Sequence, residues 1–486
     1  MNIAEFLGYD RHGTIQEIPT TLNRSKLGTL GVSLAALGFN APAWVAASSM
    51  SILYGIVGTA APLTLLIAYV FPMLVLALAL VYLTRLAPSA GGIFTFASRF
   101  LHSDAGTILG WAYVVMAATV TPMTAVIGAE YIQALIPALK GGVLAQVIGT
   151  VMVLTFMVVS LRGIEITARA AATFLVFEVG VVVGLGLLGI LHPDIAHPSF
   201  SSLYSVSAAG GWGAVGRGVL FGLWMLANFD SAINFIEEAK VPVRTIQRSL
   251  ILVLSAAFVI YSIAAIGWQF AIPVDQLAKI VESGDGGPIA AVAHKYLPNW
   301  LNWIAVFVVI TSASAGLQIS MTSGARAAYR MSQDGHLPAV LGRVNGKKVP
   351  WVITVLISAY AVLLVWLKPL ADLQWYYDVI TITLVISYMT ALMAFIAVTF
   401  RKRPLGQALL VNILPALSLL VLAYIGYTAG AVPASPGDLY NAWYMGGLVV
   451  LTGALWVWYG KRSRSAPPPA TGAHPMPAES TGSEAP

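Results

Sequence analysis

The stretch FGLWMLANFDSAINFIEEAK, residues 221–240, places an amide and a carboxylate inside a strongly hydrophobic run. Asn228 and Asp230 lie in the middle of a segment long enough to cross a bilayer, which takes about 20 apolar residues as a helix. A carboxylate at the bilayer centre costs on the order of 3 kcal/mol to insert, so such residues usually face a cavity and serve a function. We therefore predict a transmembrane helix that is interrupted at residues 227–231 to contact a ligand.

The composition is that of an integral membrane protein. Of the 486 residues, 58% are hydrophobic and 9% are charged, and the mean hydropathy is +0.82; a soluble domain is about one-quarter charged. The absence of cysteine excludes disulfides, thiolate nucleophiles and iron–sulfur clusters. We expect no enzymatic activity, no cofactor and no metal site. The net charge of +6 indicates basic cytoplasmic loops rather than a nucleic-acid partner.

Hydrophobicity and length predict an all-α protein with twelve transmembrane spans. Their expected bounds are 29–54, 62–84, 106–136, 141–161, 168–191, 214–237, 248–272, 300–331, 350–367, 375–399, 407–429 and 441–460. With the N-terminus inside, 21 of the 26 Lys and Arg residues fall on the cytoplasmic side, as the positive-inside rule requires. We therefore expect a multi-pass protein of the cytoplasmic membrane with both termini in the cytoplasm.

Four regions follow from this span count. We expect residues 1–27 to be a cytoplasmic tail, and residues 463–486, which are rich in Pro, Ala and Ser, to be a disordered cytoplasmic tail. Spans 1–10 would form a core over residues 28–399. Spans 11 and 12 would follow over residues 400–462.

Span 1 contains a second interruption, at Gly38-Phe39-Asn40-Ala41-Pro42. Proline has no backbone N–H and clashes with the preceding turn, so we expect the helix to break just before Pro42. Asn40 has the chemistry of an N-cap for a half-helix that begins at Ala41. Asn228 and Asp230 have the same capping chemistry in span 6.

Two interrupted spans at corresponding places are typical of a transporter binding site. Backbone groups released from a helix cannot face lipid, so they must line a cavity or contact a ligand. Because the breaks are five spans apart, we predict two inverted five-helix repeats, spans 1–5 and 6–10, with the substrate between spans 1 and 6. The predicted substrate-binding residues are Gly38, Phe39, Asn40, Ala41, Pro42, Trp224, Ala227, Asn228, Phe229 and Asp230.

Span 5 carries an acid near mid-depth, Glu178, in FLVFEVGVVVG (residues 174–184). A buried carboxyl can carry a proton or hold an amine, and a hydrogen bond to a neighbouring helix is the simpler alternative. Glu130, near the outer end of span 3, is expected to be an interfacial or gate residue. Gly180 and Gly184 have the small-xxx-small spacing of closely packed helices.

A cytoplasmic charge cluster follows span 6. It contains Glu237, Glu238 and Lys240, together with Arg244 and Arg248. Such a cluster is either a solvated loop or a salt-bridge gate that closes the inner vestibule, and both interpretations stay open.

Several motifs resemble the amino acid–polyamine–organocation (APC) superfamily of permeases over residues 28–460. PSAGGIFTFASR (residues 88–99), followed by Gly106 and Gly110-Trp111, is similar to the family's P-x-A-G-G-x-Y-x-Y-x-x-R loop and G-x-x-x-G-W motif. NFDSAINFIEEAKVP (228–242) is similar to its G-F-[DE]…E-E-x-K-x-P stretch. GARAAYRMSQDGHLPAVLGRV (324–344) is similar to its A-R-x-x-Y-x-M-x-x-D-G-x-L-P segment. The resemblance implies a five-plus-five inverted-repeat transporter of amino acids, polyamines or other organic cations.

The resemblance also assigns expected roles to individual positions. Asp230 matches an acid implicated in proton sensing in arginine/agmatine exchangers, and Trp224 falls where those exchangers have a gating tryptophan. Many members have a lysine in helix 5 that bridges helices 1 and 8, and Glu178 stands at that place. Ser312 and Ser314 are the expected polar groups of helix 8. The proton or coupling site is thus expected at Glu178, Asp230, Ser312 and Ser314.

One departure bears on the substrate. Amino-acid members usually have a G-[ST]-G break in helix 1 that grips the substrate carboxylate, whereas this chain has Gly38-Phe39-Asn40-Ala41-Pro42. The polyamine-importer branch also lacks that motif. An amino acid and a carboxylate-free amine therefore both remain open as the small amine-bearing solute.

The expected function is secondary active transport by alternating access. We expect a proton as the coupling ion, in symport or exchange, with sodium coupling and the oligomeric state left open. A non-transporting solute sensor is the alternative class. A channel would need a repeated polar pore lining or a charged ring, which the sequence lacks.

Overall fold

The computed structural model describes residues 27–89, 91–141, 143–163, 168–194, 199–236, 239–280, 287–368, 373–431 and 440–465. Within these ranges the chain is helical, and its extended pairing is limited to one isolated parallel bridge between Leu27 and Ala239. The predicted tails fall almost wholly outside the described residues.

The described helices follow the predicted spans closely. In chain order they are α1 Thr29–Asn40, α2 Pro42–Val57, α3 Ala61–Ala68, α4 Leu74–Leu86, α5 Gly92–Phe100, α6 Ser103–Leu135, α7 Leu144–Leu161, α8 Ala168–Leu191, α9 Phe200–Leu203, α10 Trp212–Leu226, α11 Pro242–Ala271, α12 Val274–Lys279, α13 Gly287–Tyr296, α14 Trp303–Gln333, α15 Trp351–Leu367, α16 Leu373–Lys402, α17 Leu405–Ala431 and α18 Asn441–Ser465. A π-helical turn, Tyr69–Met73, joins α3 to α4, and a 3₁₀ segment, Phe229–Phe235, follows α10.

Nine helical runs in the described residues are long and apolar enough to cross a membrane. One of them, Pro42–Leu86, contains the end of span 1 and all of span 2, and it bends at Gly58, whose φ is 55° and ψ is −132°. The helices at spans 6 and 9, α10 and α15, are shorter, with 15 and 17 residues. The number of complete crossings, predicted as twelve, therefore stays a prediction, whereas an all-helical membrane fold is shown.

The chain leaves the helical conformation at both predicted breaks. Ala41, between α1 and α2, has a left-handed backbone with φ 51°, and Pro42 is the first residue of α2. Ala227 is extended, with ψ 176°, and Asn228 is left-handed, with φ 66°. A positive φ is uncommon for residues other than glycine and costs energy that the surroundings must offset.

The broken helix lies at the centre of the bundle. α1 packs against α8, α11 and the 3₁₀ segment, and α2 packs against α8, α10 and α14. α6 and α14 form the most extensive helix–helix contact. Every residue from Asn40 to Ser51 is buried, so the break at Ala41 lies in the protein interior and not against lipid.

The close approach of α8 to α11 depends on glycines other than the predicted pair. A Cβ atom placed on Gly180 or Gly184 would meet nothing within 4 Å, so the expectation that these two residues make the tight contact is wrong. A Cβ on Gly189 would instead collide with the backbone of Gly267, and one on Gly267 with that of Gly186. The spacing rule identified the right helix, but the contacting glycines lie two and five residues beyond Gly184.

We predict opposite effects of two alanine substitutions in α8. Gly189→Ala should lower the free energy of unfolding by about 1–3 kcal/mol, because a buried backbone contact would become overpacked. Gly184→Ala should leave it unchanged or raise it by about 0.5–1 kcal/mol, since alanine is the better helix former. Thermal unfolding of the two variants in detergent measures the difference, and equal melting temperatures would contradict the assigned α8–α11 contact.

Candidate functional site

The side chain of Asn40 joins the two helix breaks. Its Nδ2 donates to the carbonyl oxygens of Met225 and Ala227, both at 2.9 Å, while its Oδ1 accepts a hydrogen bond from the hydroxyl of Tyr261 in α11. The two carbonyls lie where α10 ends, at Leu226, and the last carbonyls of a helix have no partner within it. Asn40 is 2% exposed. One buried amide therefore holds the break of span 1 against that of span 6.

The expectation that Asn40 caps the following half-helix is wrong. Ala41 occupies the N-cap position of α2 and makes no side-chain cap, while Asn40 is the last residue of α1. Asn228 occupies the N-cap position of the 3₁₀ segment, also without a side-chain cap. The reason is that the amide of Asn40 is committed to carbonyls across the bundle, so it is unavailable to its own chain segment.

Most backbone donors in the first turn of α2 are bonded within the protein. Pro42 has no N–H, the N–H of Trp44 donates to Ser312 Oγ at 3.2 Å, and that of Val45 donates to the carbonyl of Ala41 at 3.1 Å. The N–H of Ala43 lies close enough to the Glu178 carboxylate to interact with it. A helix N-terminus ordinarily exposes unsatisfied donors, and here each of them has an acceptor of the protein beside it.

Glu178 is the carboxylate at this helix N-terminus. It is 4% exposed, and its Oε2 accepts a hydrogen bond of 2.7 Å from the hydroxyl of Ser312 in α14. The structure thus brings α8 into contact with α2 and α14, which correspond to spans 1 and 8. Ser314 lies two residues further along α14, about 200° around the helix, so it is not aligned with Ser312.

Asp230 lies on the other side of the break, in the first turn of the 3₁₀ segment. The hydroxyl of Tyr388 in α16 donates to its Oδ1 at 3.1 Å, and the same hydroxyl lies close enough to the backbone of Asn228 to interact with it. Tyr113 of α6 lies close enough to interact electrostatically with this carboxylate. Unlike Glu178, Asp230 keeps partial exposure.

Aromatic side chains close the region beside the first turn of α2. Trp44 and Trp224 pack edge to face with ring centroids 6.0 Å apart, and Trp224 packs in the same way on Tyr377, at 5.8 Å. The Tyr377 hydroxyl donates to Ser48 Oγ at 3.0 Å. The indole N–H groups of Trp44 and Trp224 are buried and find no acceptor among the described residues. We call Trp44, Trp224 and Tyr377 the aromatic plug.

The remaining predicted residues take several positions. Gly38 and Phe39 are partly exposed, whereas Ala41, Pro42, Ala227 and Phe229 are buried. Glu130 lines a small pocket that also includes Ser48, Tyr131 and Gly287. The backbone N–H of Lys240 donates to the carbonyl of Leu27 at 2.9 Å, and its side chain is exposed. Glu237 and Glu238 lie outside the described residues, so the gate that includes them stays a prediction.

Four aromatic residues at the breaks were missed from the sequence. They are Trp44, Tyr261, Tyr377 and Tyr388. A tyrosine or tryptophan within an aliphatic span combines a large apolar body with one polar group that needs a partner when buried. That pattern is the signal in the sequence that could have identified them.

We predict that Asn40→Ala destabilises the protein more than a comparable substitution away from the breaks. It leaves two buried carbonyls and one tyrosine hydroxyl without their partner, and each such group costs about 1–3 kcal/mol. Asn412→Ala is the control, because Asn412 is also buried and its partner Thr399 keeps a hydrogen bond to the carbonyl of Ile396. Thermal unfolding in detergent measures both, and a control that loses as much stability would disprove the bridging role.

A second prediction compares the two serines of α14. Ser312→Ala should lower the free energy of unfolding by about 1–3 kcal/mol, because Trp44 N–H and Glu178 each lose a buried partner. Ser314→Ala should change it by less than about 0.5 kcal/mol, as is usual for sites away from such networks. The same melting experiment distinguishes them, and an equal loss in the two variants would argue against the bond network at α2.

The names of related proteins indicate two types of substrate, amino acids and the polyamine putrescine. The chain is 22% identical over 306 residues to the branched-chain amino acid permease BcaP of Lactococcus lactis, covering 58% of this chain and 65% of that protein. It is 24% identical to the glutamate/serine transporter AimA of Bacillus subtilis, covering 66% and 61%. It is also 24% identical to the low-affinity putrescine importer PlaP of Escherichia coli, covering 61% and 66%. The chain thus spans about two thirds of these relatives.

The family assignment rests on a longer match. The sequence profile described as amino acid permease matches residues 31–455, which includes both breaks and every described helix that lines them. Together with the apolar helices, this match indicates a multi-pass membrane protein. The chain belongs to the amino acid permease family, within the APC superfamily.

Proposed function

We propose that this protein is a secondary active transporter that moves an amino acid or a related amine across the cytoplasmic membrane. The observation that carries the proposal is the bridge from Asn40 to the carbonyls of Met225 and Ala227. Two unwound segments held together inside the bundle form the arrangement in which transporters bind solutes. Non-helical backbone at membrane depth is tolerated where it is buried in protein or lines a water-filled cavity, and two such segments that face each other are typical of a transporter site.

The proposed architecture is twelve transmembrane helices, with spans 1–5 and 6–10 as inverted repeats. With both termini in the cytoplasm, α2 and α10 lie in the outer half of the membrane. The aromatic plug then lies on the outer side of the substrate site, and the partly exposed Asp230 lies on the cytoplasmic side. The described conformation is therefore one in which the outer path is closed, as alternating access requires of one of its states.

Asp230 is the proposed contact for the substrate amine or for a transported proton. It is a partly exposed carboxylate next to unwound backbone, and Tyr388 fixes its orientation. Phe39 and Trp224 would supply apolar walls and cation–π contacts. Proton symport and exchange are both compatible with one carboxylate in this position, and both substrate types occur in the names of the relatives.

The test is counterflow in proteoliposomes loaded with unlabelled solute. Leucine, serine, glutamate and putrescine are the first labelled solutes to offer, following the relatives' names. A transporter accumulates label transiently by exchange, whereas a solute sensor binds without accumulation. Absence of counterflow across a wide panel of amino acids and amines would refute the proposal.

We predict that Asp230→Asn reduces counterflow at least tenfold, because the carboxylate that faces the site is lost. Ser387→Ala is the matched control, since Ser387 precedes Tyr388 on α16 but donates to the carbonyl of Thr383 in its own helix. The control should retain more than half of the wild-type rate. Full activity in Asp230→Asn would disprove the assigned role.

A further inference from the structure

We infer that Glu178 occupies the anion-binding end of α2 and thereby makes the protein select an amine that has no carboxylate. This inference rests on the proposed transport function and specifies its substrate class. In this inference Glu178 determines substrate specificity, because its carboxylate takes the place at the α2 N-terminus that the carboxylate of an amino acid would otherwise occupy.

The first step is the state of the α2 N-terminus. A helix N-terminus favours anions because its free N–H groups and its dipole both point toward them, and half-helices in transporters use this property to hold anionic substrate groups. In this chain Ser312 accepts from Trp44 N–H, and the Glu178 carboxylate lies close enough to Ala43 N–H to interact with it. With Pro42 lacking an N–H and Val45 bonded to Ala41, Ala43 N–H is the one remaining donor of the first turn, and a carboxylate of the protein already faces it.

The second step is burial. Glu178 is 4% exposed and Ser312 is fully buried, and the hydrogen bond between them closes the site from the α14 side. A substrate carboxylate would have to displace a carboxylate that belongs to the protein, or lie beside it with the same charge. Both arrangements are unfavourable compared with binding a substrate that lacks the group.

The third step is the polarity of the groups that keep exposure. Asp230 is an acid and is partly exposed. Gly38 and Phe39, also partly exposed, are at the C-terminal end of α1, where the helix dipole is negative and attracts cations. The break therefore presents acceptors and negative charge on its open side, together with the side-chain amide of Asn228, which is also partly exposed. The unpaired N–H groups of Trp44 and Trp224 and the unpaired hydroxyl of Ser231 are neutral donors, and they are other places among the described residues where a carboxylate could bind.

Matched pairs of solutes that differ by one carboxylate test the inference directly. The pairs are lysine and cadaverine, ornithine and putrescine, and leucine and 3-methylbutylamine. Each solute is tested in two assays. The first measures how strongly it inhibits counterflow of a labelled solute in proteoliposomes, and the second measures how far it raises the melting temperature of the full-length protein. For at least one pair, the amine should act at a concentration at least tenfold lower than its parent amino acid.

Variants at Glu178 separate its charge from its hydrogen bond. Glu178→Ala removes the charge and releases Ala43 N–H, so the preference for the amine should fall at least tenfold. Glu178→Gln keeps an acceptor for that N–H and should change the preference less. Glu130→Gln removes another acid of the membrane region, at the pocket lined by Ser48 and Tyr131, and should leave the preference unchanged. If Glu178→Ala does not fold, Glu178→Gln tests the role of the charge, and a preference equal to that of the wild type would disprove it.

Three results would overturn the inference, and they differ in which other claims fail with it. If wild-type protein exchanges the parent amino acids as well as or better than the amines, the substrate class is wrong and the transport proposal stands. If it exchanges neither member of any pair nor any other amino acid, both proposals fail together. A preference for amines that survives in Glu178→Ala would disprove the role of Glu178.

Discussion

Every helix interruption inside a bilayer releases backbone groups that water cannot reach, and those groups must be satisfied by the protein or by a ligand. In this chain, side chains from distant helices satisfy them. Asn40 donates hydrogen bonds to carbonyls 185 and 187 residues away. Ser312 accepts a hydrogen bond from the first turn of α2 and donates one to Glu178, 134 residues away in the sequence. Because each partner comes from another helix, the breaks depend on the assembled bundle, and the bundle interior is organised around the breaks.

The first turn of α2 and the accessible part of the break differ in polarity. The donors of α2 are buried, whereas the partly exposed groups are an acidic side chain, the carbonyl end of α1 and the side-chain amide of Asn228. A ligand in this region therefore meets mainly acceptors and negative charge. At a broken helix, the negative C-terminal end of one half and the positive N-terminal end of the other half face the same gap. The Glu178 carboxylate offsets the positive end, at the start of α2, which would otherwise attract an anion.

Local rules predicted where the helices end, but not what their side chains do. The break before Pro42 could be predicted because proline lacks the N–H on which the helix depends. The role of Asn40 could not be predicted in this way. Capping rules consider only the adjacent turn, whereas the carbonyls that Asn40 binds belong to a segment about 185 residues away. The predicted contact at Gly180 and Gly184 was wrong for the same reason. Their spacing fits a close contact, but the facing backbone of α11 lies opposite Gly186 and Gly189. The importance of Trp44, Tyr261, Tyr377 and Tyr388 likewise follows from long-range packing.

The two sides of the site are held by interactions of different kinds, which suggests how the proposed transport cycle proceeds. Asn40 joins the breaks through two buried hydrogen bonds and is held by a third from Tyr261, and breaking them would leave several polar groups unsatisfied. The aromatic plug is held by edge-to-face packing and by hydroxyl bonds between Tyr377 and Ser48 and Ser49. Aromatic packing of this type is worth about 0.5–1.5 kcal/mol per pair beyond area burial. In the proposed topology, opening toward the outside therefore costs least if the rings of the aromatic plug separate while the Asn40 bridge stays intact as the pivot.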